Sequence, residues 1–125
     1  MFQKNSLVMR MSRKVIEDTY TDTCDVIEHQ KTKVNGVATF GDVTVLKNIP
    51  CRLSYSSAPT ANQTESSADI AQTTKLFISP DVEIKSGSKI LVTRDGHTMA
   101  FKNSGVPSLY PTHNEIMLEV FKNWA

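Results

Sequence analysis

A chain of 125 residues, 39% hydrophobic and 22% charged, sits among ordinary globular proteins and suits a single domain over residues 1–125. A net charge of +1 excludes binding to polyanions by overall charge alone, and two cysteines are too few for a four-ligand structural zinc site. No apolar run reaches the ~18 residues of a membrane span, and MFQKNSLVMRMSRK lacks a signal peptide's apolar stretch and small-residue cleavage site, so a product made in the cytoplasm, without membrane contact, is expected.

Leu7 to Tyr20 is the one helix candidate, because Leu7, Met11, Val15 and Ile16 fall near one face. Charge is uneven here. Lys4, Arg10, Arg13 and Lys14 precede a run of acids, Glu17, Asp18, Asp22, Asp25 and Glu28. A solvated edge explains this, and so does a charge-matched contact between copies of the chain. From Thr21 the apolar period changes to two, with Cys24 and Val26 alternating with Asp25, which predicts a strand of about six residues. Cys24 and Cys51 both fall on alternating segments, as buried free thiols do, although a disulfide is also compatible with the sequence.

Asn35-Gly36 between apolar flanks is a two-residue hairpin signal, since both residues accept the positive φ of a type I′ turn. Gly41-Asp42 reads as punctuation before a strand at Val43–Leu46. Pro50 reads as the start of another, placing Cys51, Leu53 and Tyr55 on one face and Arg52 and Ser54 on the other. The stretch Ser56–Thr74, SSAPTANQTESSADIAQTT, has Ile70 as its only large aliphatic. Burial offers such residues little against an ordering cost of about 1–2 kcal/mol each, so a flexible inserted loop is expected there. Strands follow at Leu76–Ile78, Lys89–Thr93, Met99–Phe101 and His113–Phe121. Between them lie turns at Ser79-Pro80-Asp81, Lys85–Ser88 and Arg94-Asp95-Gly96-His97, with breaks at Gly105, Pro107 and Pro111. About seven short strands and at most one helix make an all-β fold, a small barrel or a sandwich.

Catalytic chemistry is hard to find. None of His29, His97 and His113 has another ligand at metal-binding spacing, which predicts surface imidazoles at 29 and 97 and a backbone hydrogen bond at 113. Neither cysteine has a histidine near it in sequence, no serine sits in a Gly-x-Ser-x-Gly elbow, and the five glycines mark turns rather than a phosphate cradle. The expectation is a protein that is not an enzyme and takes no metal or cofactor, with a hydrolase of unusual site as a distant third reading. A nucleic-acid platform interleaves bases with aromatics. The nearest approach is Arg52 with Tyr55 and Lys75 with Phe77, and core packing accounts for these aromatics as well.

The succession of features carries more than any one of them. An acidic strand, Tyr20-Thr21-Asp22-Thr23-Cys24-Asp25-Val26, precedes Ile-Pro-Cys-Arg-Leu-Ser-Tyr at 49–55 and a polar loop. Lys-Leu-Phe-Ile-Ser-Pro-Asp-Val follows at 75–82, then Ile84-Lys85-Ser86-Gly87-Ser88-Lys89-Ile90, a hairpin, and Tyr110-Pro111-Thr112-His113-Asn114-Glu115-Ile116. From Tyr20 to the C-terminus this order resembles the head-closure, or head–tail connector, proteins of tailed bacteriophages, particularly those in phage-like elements of Gram-positive bacteria. Residues 1–19 are longer than that pattern.

The resemblance implies a small β-barrel with long inserted loops, without cofactor or catalytic residues. It implies a virion neck protein that forms a homo-oligomeric ring beneath the portal and its adaptor, helps retain packaged double-stranded DNA, and gives the tail terminator or tail tube protein a docking surface. DNA would pass through the channel without sequence-specific binding, which fits Glu65 and Asp69 standing in the arm with no base between Tyr55 and Lys75. On this reading the arm faces a neighbouring subunit or the channel through Ser57, Thr60, Asn62, Gln63, Thr64, Glu65, Ser66 and Asp69. Lys4, Arg10, Arg13 and Lys14 are the candidate adaptor contacts. The alternative is a monomeric β-barrel nucleic-acid-binding module.

Overall fold

The computed structural model describes residues 7–59, 70–105 and 107–124. A helix, α1 (Leu7–Glu17), leads into β1 (Asp22–Val34), β2 (Val37–Pro59), β3 (Ile70–Ile78), β4 (Lys89–Arg94), β5 (His97–Asn103), β6 (Ser108–Leu109) and β7 (Asn114–Val120). Every pairing is antiparallel. β2 lies against β1, β1 against β4, β4 against β5 and β5 against β7. β7 then returns to β3, which itself pairs with β2, and this closes the sheet into a barrel. β6 is a short addition beside the start of β7. Closure leaves no sheet edge around the core.

Period-two alternation builds that core. Cys24 and Val26 of β1, Cys51 and Leu53 of β2, Leu76 and Ile78 of β3, Ile90 and Val92 of β4, Phe101 of β5, and Ile116 and Leu118 of β7 all point inward. Both cysteines are buried free thiols. A hydrogen bond shared with Cys24, reinforced by burial, pushes the Cys51 thiol far above its ordinary range, so it stays protonated and unreactive.

Both two-residue hairpins form. Asn35 and Gly36 have φ of 53° and 79°, and Asp95 and Gly96 have φ of 51° and 79°, the left-handed values the sequence signal requires. The Lys85–Ser88 turn also forms, tied down by Asn103. The buried Asn103 amide donates to the Ile84 and Lys85 carbonyls at 3.2 Å each, while its backbone bonds Ser88 and Gly87.

Strand lengths differ from the sequence expectation. β1 runs for 13 residues and β2 for 23, straight through Gly41, Asp42 and Pro50. Gly41 pairs with Gln30 and Asp42 with His29, so a continuous partner strand overrides weak local propensity. Pro50 sits where β2 passes from pairing with β1 to pairing with β3, a place that tolerates a missing donor. The loop expected at Ser56–Thr74 is shorter as well. β2 continues to Pro59, and Ile70 to Thr74 already belong to β3, in register from Tyr55↔Thr74 to Pro59↔Ile70. A ladder extended from a paired barrel needs backbone groups rather than apolar side chains, so lack of core residues does not end it. The two-residue β6 lies in the stretch read as breaks.

α1 ends at Glu17 rather than Tyr20. Its apolar stripe faces away from the barrel: Leu7, Val8, Met11 and Val15 are exposed, and only Met9 is buried. Tyr20, just after it, places its hydroxyl in the interior with no hydrogen-bond partner from the described residues. Burial pushes its pKa up to about 12, so it stays a neutral phenol. Tyr20→Phe should therefore leave stability within about 0.5 kcal/mol of the parent, or raise it slightly, in urea unfolding.

Candidate assembly surfaces

Two ribbons leave the barrel at opposite ends of β2. β4 accompanies β1 only over Thr23–Ile27, so Glu28–Val34 pair with β2 alone. β7 accompanies β3 only from Thr74, so Ile70–Thr73 likewise pair with β2 alone. The first ribbon exposes Val34, Val37 and Phe40. The second carries the predicted contact residue Ser57 on β2, opposite Gln72. Thr60, Asn62, Gln63, Thr64, Glu65, Ser66 and Asp69 lie outside the described residues, as does Lys4.

The other N-terminal cations do not act alike. Arg13 is committed within the chain, donating to Asp81 at 2.9 Å and to Ser79 at 3.2 Å, with Glu17 at 3.4 Å. The Asp81 hydrogen bond raises the Arg13 pKa further. That contact moors α1 to the turn after β3, so Arg13 is an internal tether rather than a free contact. Arg10 and Lys14 remain exposed, with Lys14 3.9 Å from Asp18.

A buried ion pair ties the start of β1 to β4 and to Leu53 of β2. Arg94 donates from its Nε at 2.9 Å and a terminal nitrogen at 2.8 Å to the two Asp22 oxygens. The Leu53 N–H donates to the same carboxylate at 2.9 Å, and Arg94 also bonds the Leu53 carbonyl. Burial alone would raise the Asp22 pKa, but Arg94 and the Leu53 amide outweigh it and hold the carboxyl below its usual range. By local pattern Asp22 belongs to an acidic edge and Arg94 to a turn. The available signal was an acid and a base at the ends of two strands that pair.

An aromatic stack roots the first ribbon. His29 lies between Phe40, at 5.2 Å, and Trp124, at 4.9 Å, with Nδ1 3.3 Å from Asp42. Trp124 meets Phe121 edge-on at 5.1 Å, and the Lys89 ammonium sits 4.6 Å above the Phe121 ring. His29 is thus the exposed surface imidazole expected, and it also stacks between two rings at the root of the ribbon. His29→Ala should move the emission of Trp124, the only tryptophan, to longer wavelength, while His97→Ala at the exposed hairpin tip should not. His113 bonds side chains, Thr112 at 2.9 Å and Glu115 at 3.3 Å, and stacks on Tyr110 at 4.9 Å, in place of the backbone partner expected.

An open cleft of about 620 Å³ lies beside this stack, lined by Lys31, Lys85, Lys102 and Trp124 among others, with Lys85 3.8 Å from Glu28. Among the described residues no three His, Cys, Asp or Glu side chains gather as a metal ion would need. The nucleic-acid platform is split. Arg52, Lys75 and Phe77 share the outer face, whereas Tyr55 follows the inward parity of Cys51 and Leu53 and reaches the Met99 sulfur at 3.5 Å. Lys75 is also engaged, 3.5 Å from Glu115, and Phe77 tilts against His113 at 5.6 Å.

No protein-family model matches this chain, and no curated protein matches its sequence. A solved structure does: the phage-like element PBSX protein xkdH from Bacillus subtilis. It superposes with a TM-score of 0.50 at 12% identity, over 79% of this chain and 93% of that one. At that identity the likeness is one of fold.

Proposed function

We propose that this chain is a non-enzymatic structural protein of a phage or phage-like particle, acting in the neck between head and tail. The observation that carries the reading is the pair of ribbons at opposite ends of β2, each paired only with itself. A barrel of this size needs neither ribbon for its own core, and surfaces held out in this way serve contacts with other subunits. The fold shared with a protein of a phage-like element supports the same reading. In this role the chain forms a homo-oligomeric ring below the portal and adaptor, helps to keep packaged double-stranded DNA in the head, and presents a surface to the tail terminator or tail tube. The hairpin linking β2 to β3 faces a neighbouring subunit or the channel, and exposed Arg10 and Lys14 face the adaptor. Repetition around a ring multiplies weak contacts through high effective concentration.

Light scattering of the purified chain, alone and with portal–adaptor complexes, should show a ring-sized species. Deleting Asn62–Ala68 should leave a folded protein but yield heads that leak DNA or fail to join tails; normal infectious particles would remove the hairpin from the mechanism. The rival, a monomeric nucleic-acid-binding module, is disfavoured by the position of Tyr55 away from Arg52 and Phe77. Micromolar affinity for DNA that falls steeply with salt would favour it instead.

A further inference from the structure

β2 meets its two partners on different halves, β1 along Val37–Cys51 and β3 along Cys51–Pro59. Each half therefore has one edge that faces no strand of its own chain. The two edges are treated differently. Just past the start of β1, the Leu53 N–H is taken by Asp22 and its carbonyl by Arg94, a side-chain cap that blocks strand addition. Along Val37–Leu46 no described residue outside β1 hydrogen-bonds the strand. That run reads VATFGDVTVL, rich in β-branched residues, with Asp42 its only charge and no proline. Long apolar edges without charge or proline pair with other chains. A two-stranded ribbon is also marginal until a third strand joins it.

A second bare edge lies at the far end of β2. Ile70–Thr73 of β3 pair with β2 on one side and with nothing described on the other, and the sequence there, IAQT, is uncharged. We infer that the Val37–Leu46 edge of one copy receives the Ile70–Thr73 edge of a second copy, joining barrels head to tail through continuous sheet. Unlike edges meeting make a heterologous contact, which each copy repeats with its next neighbour, so that a ring or filament results. Like edges meeting would stop at a dimer. Charge favours the unlike pairing. Asp42 is the only charge on the Val37–Leu46 run and Ile70–Thr73 carries none, whereas two Val37–Leu46 edges meeting would bring two Asp42 carboxylates into one short ladder. This inference deepens the neck reading and rests on it for the existence of a ring.

The full chain carrying both Thr39→Cys and Thr73→Cys tests it. The two positions are roughly 50 Å apart along β2 at ~3.3 Å per residue, beyond the reach of a short bis-maleimide within one subunit. The double variant should cross-link into a ladder of trimers and larger species, while each single variant stays uncoupled. Dimers from Thr39→Cys alone would mean like edges meet and would overturn the inference. A ring-sized species without a ladder would overturn it too, yet leave the neck reading standing; a chain monomeric at every concentration would overturn both. Thr39→Lys with Val45→Lys, which charges the edge, should abolish the ring-sized species while the far-ultraviolet circular dichroism is unchanged. An undiminished ring from that variant would refute the edge pairing.

Discussion

Arg94→Met should destabilise the protein by about 3 kcal/mol in urea unfolding, near the lower end for breaking a buried ion pair. The Asp22 side chain is 0% exposed and takes two hydrogen bonds from Arg94. Removing the guanidinium leaves an uncompensated carboxylate inside the barrel, with only the Leu53 amide to hold it. The figure stays near the lower end because Arg94 itself is 35% exposed, so water can take part of its place. A loss below about 1 kcal/mol would mean that the pair does not hold the start of β1 against β2 and β4. The same pair sets a pH dependence. The Asp22 pKa is depressed in the folded state, so its contribution is fully present above the unfolded value of about 3.9 and is lost as pH falls through the lower folded value. Acid unfolding of the parent should therefore steepen below about pH 4, and Asp22→Asn should flatten that limb.

Ile78→Ala should cost about 2–5 kcal/mol, the range for deleting a fully buried aliphatic side chain. Ile78 is 0% exposed and lies on the strand that closes the barrel, opposite Cys51 of β2 and Asn114 of β7. The cavity would open at the β3–β7 seam, the pairing that joins the last strand to the third and closes the barrel. Nearby packing is close on both sides, with Leu76 and Ile116 also fully buried, so little collapse is available to fill the space. Val120→Ala on the exposed end of β7, where the residue is 66% exposed, should change stability by less than about 0.5 kcal/mol. Similar losses from both variants in thermal unfolding would show that the seam is not the stabilising contact.

Much of the core was readable because a half-buried strand writes its parity into the sequence. Cys24/Val26 and Cys51/Leu53 flank polar residues, Ile116/Leu118 flank the exposed Met117, and each pair is buried. The Asn35-Gly36 and Asp95-Gly96 turns were readable for an equally local reason, since few other residues adopt positive φ without strain. Strand extent was not. Gly41, Pro50 and the Ser/Thr-rich run after Tyr55 look like breaks to any local rule, yet each is held in a ladder by a partner distant in sequence. The assembly residues divide the same way. The bareness of the 56–74 segment was visible in its composition, but the commitment of Arg13 to Asp81 and the burial of the Asp22–Arg94 pair were not.

By itself, then, the amino-acid order determined an all-β chain with its turns in place and its inward residues chosen, because φ preference and period-two burial act over neighbouring positions. Only the tertiary structure decided that β3 closes on β7, that β2 changes partners midway, and that one of its edges is capped while the other is left bare. Those outcomes depend on which distant backbones come within hydrogen-bonding reach, and no local pattern records that.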